Sequence, residues 1–149
     1  MKMFKLLSMA LLISAWTLPG SVLASGFDYG THKVVYHVNY DDTGRYMGAM
    51  GNIQNHINAV GAENMDIKVV MHGDGLGLLR TAKEHADLRA RVDSLKLQNV
   101  EFQVCANTLR GRNIDLHADL YDARDEDVIP SGVAHISWLQ HQGYTYSRP

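Results

Sequence analysis

Three short β-branched and apolar runs, separated by segments of helical period, constrain this chain more than any other feature. Lys33-Val-Val-Tyr-His-Val-Asn39 is bounded by Asp41-Asp-Thr-Gly44 and reads as a strand. Ile67 to Met71 is almost all apolar, the pattern of a strand buried on both faces. Val100 to Cys105 is the third such run. Between the first two, Met50, Ile53, Ile57 and Val60 recur at three- and four-residue spacing, which predicts a helix ending near Gly61. Gly48 and Gly51 weaken that helix, and close packing against the sheet or a neighbouring chain is the expected compensation. A second helical stretch runs to about Leu97, with Leu88, Val92 and Leu95 on one face. Strands that alternate with helices pair in parallel, because parallel neighbours need a helical crossover. The expected fold is therefore one α/β domain, a three-layer sandwich with a mostly parallel sheet.

The remainder fits the same scheme. Asn107 is placed to cap a short helical turn holding Arg110 and Arg112. The stretch 116–127 is polar and acidic and the least legible. Val128-Ile129 reads as a short fourth strand. Pro130 breaks the chain, Ser131 caps a last helix carrying Val133, Ile136 and Leu139, and Gly143 closes it. Residues 144–147 alternate weakly, as a terminal edge strand would. The chain shows no internal repeat and no low-complexity tract.

The first 24 residues have the three parts of an export signal. Lys2 and Lys5 give a positive start, residues 6–16 are apolar, and Val22-Leu23-Ala24 offers small residues where a signal peptidase cuts. The apolar run is shorter than the roughly 20 residues a bilayer span needs. The expectation is cleavage after Ala24, a periplasmic product without a membrane anchor, a polar lead-in over 25–32 and a domain over 33–149. Removing Lys2 and Lys5 from the 14 basic residues leaves 12 against 16 acidic ones, a net charge of −4 with histidines neutral. That balance argues against a nucleic-acid partner, which calls for a basic face.

Cys105 is the single cysteine, so an exported chain of this kind closes no internal disulfide. The thiol is then core packing, a link to another chain, or a working group. A cysteine ending an apolar strand is most often a small core hydrophobe. Two features favour a working thiol: a helix start just after it, whose N–H groups favour thiolate and which Arg110 and Arg112 follow closely, and export, where an idle exposed thiol risks unwanted oxidation. In open parallel sheets, ligands bind beyond the carboxyl ends of the strands. This chain places His37 and Asn39 there after the first strand, His72 after the second, and Cys105 with Asn107 after the third. Each histidine alone is more often a hydrogen-bonded structural residue, but the convergence of three strand ends is the more specific signal.

Other chemistries are poorly represented. Gly73-Asp-Gly-Leu-Gly77 follows a strand and suits an anion, yet it lacks dinucleotide spacing and a Walker lysine, and a flexible turn is the favoured reading. No Gly-x-Ser-x-Gly elbow is present. The eight histidines include no His-Glu-x-x-His pattern, so no metal or other cofactor is expected. A copper or zinc ion held by His37, His72 and Cys105 is the minor alternative.

His72-Gly73 before Leu76-Gly-Leu-Leu79, Phe102-Gln-Val-Cys-Ala-Asn-Thr-Leu109, Val128-Ile-Pro-Ser-Gly-Val133 and the tail Gly143-Tyr-Thr-Tyr-Ser-Arg-Pro149 together resemble the DsrE/DsrF-like family. The resemblance spans residues 33–149, in an exported branch with one cysteine. It implies a flavodoxin-like α/β sandwich that forms homo- or hetero-oligomers, often trimers or hexamers. It also implies a sulfur-relay role, with sulfane sulfur held as a persulfide on Cys105 between a small-molecule or protein-thiol donor and acceptor. On this reading His37, Asn39, His72, Asn107 and Arg110 serve the bound sulfur or its donor. The alternatives are a small-ligand or metal-binding oligomeric module of the same fold without turnover, or a purely structural subunit.

Overall fold

The computed structural model describes residues 27–149, and the expected leader lies outside the described residues. Strand β1 (His32–Val38) is followed by helix α1 (Thr43–Val60) and strand β2 (Met65–Met71). A 3₁₀ turn (Gly73–Leu76) leads into α2 (Gly77–Ala82), α3 (Ala86–Lys96) and β3 (Glu101–Cys105). Then come α4 (Ala106–Arg112), α5 (Leu116–Asp119), β4 (Val128–Ile129), α6 (Gly132–His141) and β5 (Thr145–Ser147). All neighbouring strands run parallel, in the order β4-β3-β2-β1-β5.

That order dictates the layers. From β1 to β4 the chain steps in one direction, so right-handed crossovers put α1 to α5 on one face. From β4 to β5 it returns across the whole sheet, and the same rule puts α6 on the other face. The period-2 alternation sorts the strand residues accordingly. Val34, Tyr36, Val38, Ile67, Val69, Met71, Phe102 and Val104 join the core under the first layer. Val35 and Val70 pack instead with Ile129, Ile136 and Leu139 beneath α6.

Local chemistry sets the boundaries. Asp42 accepts the Arg45 N–H and starts α1, and Gly61 ends it at a φ of 92°. The expected single helix up to Leu97 is two helices, because His85 turns extended and caps α3 by accepting from Leu88 N–H. The stretch 116–127 contains the short α5, capped by Asp115, and buries only Leu120 and Ala123. Two positions lie open to solvent within this chain. Gly48 faces open space, so it is not a close-approach position within this chain. Val133 lies on the outer side of α6 and is exposed, leaving Ile136 and Leu139 to bury that helix.

Candidate functional site

The sheet register brings the strand ends together. Val38 pairs with Met71 and Met71 with Val104. Carrying the register one residue further sets Asn39, His72 and Cys105 side by side in one row, all on the α6 face. Adjacent strands are about 4.8 Å apart, so His72 is an immediate neighbour of Cys105. His37 sits one row behind, and its Nε2 lies 2.7 Å from His72 Nε2 with the rings stacked at 26°. The Tyr146 hydroxyl on β5 closes the chain, 2.8 Å from His37 Nδ1. Arg148 donates to Asn39 Oδ1 at 2.9 Å.

Cys105 is held by two helix starts. It is itself the N-cap of α4, and the Gly132 N–H at the start of α6 donates to its Sγ at 3.2 Å. Burial by itself would raise the thiol. Hydrogen bonds from the Thr108 hydroxyl and from the N–H groups of Gly132, Thr108 and Asn107 outweigh it and hold the thiol below the usual cysteine value. These donors favour the anion without a full positive charge nearby. The residue is 4 % exposed.

Gly132 has no room for a side chain. A Cβ there would lie 2.8 Å from His72 Cβ and 3.1 Å from His72 Cδ2. His72 and Cys105 therefore share this glycine, one through its Cα and the other through its N–H. His37 is pushed down to about 4, first by burial and then by the charges of His72 and Arg148. Burial also lowers His72. Both shifts favour the neutral ring.

Four of the sequence-derived residues, His37, Asn39, His72 and Cys105, thus converge. The side chains of Asn107 and Arg110 do not join them, and Asn107 contributes only its backbone N–H to the Cys105 sulfur. Asn107 lies inside the first turn of α4 rather than capping it, and its exposed side chain accepts from Arg110 at 2.6 Å. Arg112 is paired with Asp74 at 2.6 Å, so neither arginine accounts for the lowered thiol.

The Gly73–Gly77 turn is packed rather than loose. A Cβ on Gly75 would meet the Val38 carbonyl oxygen at 1.9 Å. The N–H groups of Gly73, Gly75 and Gly77 bond Thr108 Oγ1, the His72 carbonyl and the turn itself, so they are not a free anion cradle. Among the described residues, no group of three His, Cys, Asp or Glu is placed to hold a metal ion. A groove of about 560 Å³ opens elsewhere, at the amino end of β3 between Asp93, Lys96, Glu101 and Asp127.

Sequence reading missed Tyr146, Thr108 and Gly132. Only Gly132 left a signal, a glycine directly after the Pro130-Ser131 helix start.

These features define an all-parallel α/β protein with one thiol held at the carboxyl edge of its sheet. The profile of the DsrE/DsrF-like family matches residues 33–146. The chain belongs to that family, and membership points to sulfur relay in general terms. A solved protein of unknown function from Methanobacterium thermoautotrophicum, MTH1491, is similar at 34 % identity and a TM-score of 0.68. The match covers 79 % of this chain and 99 % of that one. The ychN protein from E. coli shares the fold at 16 % identity and a TM-score of 0.60, over 80 % of this chain and all of its own. No curated protein matches this chain.

Proposed function

We propose that this chain is a periplasmic sulfur-handling protein that carries or transfers sulfane sulfur as a persulfide on Cys105. The observation that carries the reading is the placement of Sγ at the starts of α4 and α6, with the Gly132 N–H on the sulfur. Thiolate is the nucleophile in sulfur exchange, and these hydrogen bonds favour it by holding the thiol below the usual cysteine value. With thiosulfate as donor, the Cys105 thiolate attacks the sulfane sulfur, the donor's S–S bond breaks, and sulfite leaves with the bonding pair. An acceptor thiolate then takes the outer sulfur and returns Cys105 as thiolate. No outside oxidant is needed. His72, beside Cys105 in the sheet, is the helper residue this reading assigns to the outer sulfur.

Export rests on the leader pattern of residues 1–24 and gives a periplasmic chain starting at Ser25. Assembly into a trimer or hexamer belongs to the same reading. Intact-mass analysis of the protein treated with thiosulfate, or with a low-molecular-weight persulfide, tests the chemistry. A gain of one sulfur atom, reversed by reductant and absent in Cys105→Ser, is expected. No adduct on the wild-type protein overturns it.

One observation favours a second reading. The thiol is 4 % exposed in the single chain, which suits a filler in a small-ligand-binding module without turnover. In that case Cys105→Ser retains whatever ligand the wild type retains through purification.

A further inference from the structure

The hydrogen bonds around Cys105 fall on one atom, Sγ, and that decides which state of a sulfur carrier they favour. The Gly132 N–H donates to Sγ at 3.2 Å, and the Thr108 hydroxyl and the N–H groups of Thr108 and Asn107 bond the same sulfur. The direction of each bond is fixed. An N–H only donates. The Thr108 oxygen accepts the Gly73 N–H at 2.9 Å, and neither a thiolate nor a persulfide leaves a proton on Sγ, so the hydroxyl proton goes to the sulfur. Gly73 adopts a φ of 56°, a conformation that suits glycine. Asp74 beside it pairs at 2.6 Å with Arg112, one turn further along α4 than Thr108. The turn after β2 and the helix after β3 are thus clipped together at two points, and one of them is the hydroxyl on the sulfur.

Loaded and empty carrier differ in where the charge sits. In the persulfide the inner sulfur is neutral and the charge belongs to the outer one; after transfer the charge is on Sγ. Hydrogen bonds to an ionised acceptor are roughly twice as strong as those to a neutral one. Donors aimed at Sγ therefore stabilise the empty thiolate more than the loaded persulfide. We propose that Thr108, oriented by the Gly73 N–H, makes Sγ a good leaving group, so that loaded Cys105 hands its sulfur to an ordinary thiol instead of storing it. The proposal rests on the persulfide reading above and adds to it a residue, a direction of exchange and the class of the acceptor. In the hand-off the acceptor thiolate bonds the outer sulfur, the bond from the outer sulfur to Sγ breaks, and Sγ keeps the bonding pair as thiolate. A leaving thiolate that is already stabilised leaves faster, and its stabilisation pulls the exchange forward. The acceptor is a thiol without such donors of its own.

The test equilibrates the protein at pH 7 with N-acetylcysteine and its persulfide in known ratio, and reads the loaded fraction by intact mass. At equal concentrations the wild type should be mostly empty. In Thr108→Val the exchange constant should move roughly tenfold toward the loaded form, the usual scale for one hydrogen bond to a charged group. Thr108→Ser, which keeps the hydroxyl, should restore the wild-type constant. The pH midpoint for Cys105 alkylation should rise in Thr108→Val and return in Thr108→Ser. Should Thr108→Val fail to fold, Thr108→Ala removes the same hydroxyl and should give the same shift. A wild type mostly loaded at equal concentrations, a constant unchanged without the hydroxyl, or no recovery in Thr108→Ser would each overturn the proposal. A wild type that gains no sulfur from thiosulfate or from persulfide overturns the persulfide reading and this proposal together. One that loads and then keeps its sulfur against excess thiol overturns this proposal alone.

Discussion

The two faces of the sheet do different work. Beneath α1 to α5, twenty-four buried residues form one continuous core, from Val34 on β1 to Ala123 before β4. Beneath α6 there are five, Val35, Val70, Ile129, Ile136 and Leu139. The same α6 face carries His37, Asn39, His72, Gln103 and Cys105, polar or reactive groups that a large apolar core would not accommodate cheaply. Burial thus stabilises the fold from one side, and the other side is free to hold a hydrogen-bonded site. The helix covering the site contributes its first N–H as well as its apolar stripe.

The largest effect expected from this division is on the thick face. Phe102 is 1 % exposed, and Phe102→Ala should cost about 3–5 kcal/mol of stability. Its neighbour Cys105 points the other way, so Cys105→Ser should move the denaturation midpoint far less. Equal losses in chemical denaturation would break the comparison.

Next comes pH. His37 has an ordinary value of 6.5 and a folded value of about 4, so the unfolded chain takes up the proton first. Stability is fully present above about pH 6.5 and is lost as pH falls toward 4, by up to about 3 kcal/mol. His72, Tyr146 and Arg148 face this ring, and His72 is lowered in the same direction. Thermal melts from pH 7 to pH 4.5 should therefore fall less steeply for His37→Gln than for the wild type. Parallel slopes would remove His37 as the origin.

The smallest structural change has the most local reading. Gly132→Ala puts a methyl 2.8 Å from His72 Cβ, which forces the first turn of α6 to shift. The expected cost is about 1–3 kcal/mol, together with a rise in the pH midpoint for Cys105 alkylation as the N–H leaves the sulfur. An unchanged midpoint would mean that this N–H does not hold the thiol down.

The sequence made the strands, the first helix and the Ser131 cap legible because each is set by local periodicity or a local hydrogen bond. Alternation along β1 and the ends of β2 and β3 also delivered His37, Asn39, His72 and Cys105 to one edge. What it could not deliver were contacts across long separations. Tyr146 reaches His37 only because β5 pairs with β1, and nothing in residues 144–147 specifies that neighbour. Gly132 reaches Cys105 because a two-residue strand, β4, seats the start of α6 beside β3. Asn107 and Arg110 were placed by proximity in sequence, and the turn of α4 carries their side chains out to solvent instead.

The central claim is that the thin face holds Cys105 as a ready nucleophile, and alkylation of that thiol in the folded protein tests it most directly. The rate of reaction with a small neutral alkylating reagent, followed by intact mass from pH 5 to pH 9, gives the thiol's own midpoint. A midpoint below that of an ordinary cysteine, with reaction faster than unfolding, is the result expected. A thiol that stays unmodified until the protein is unfolded would contradict the account and make Cys105 part of the packing.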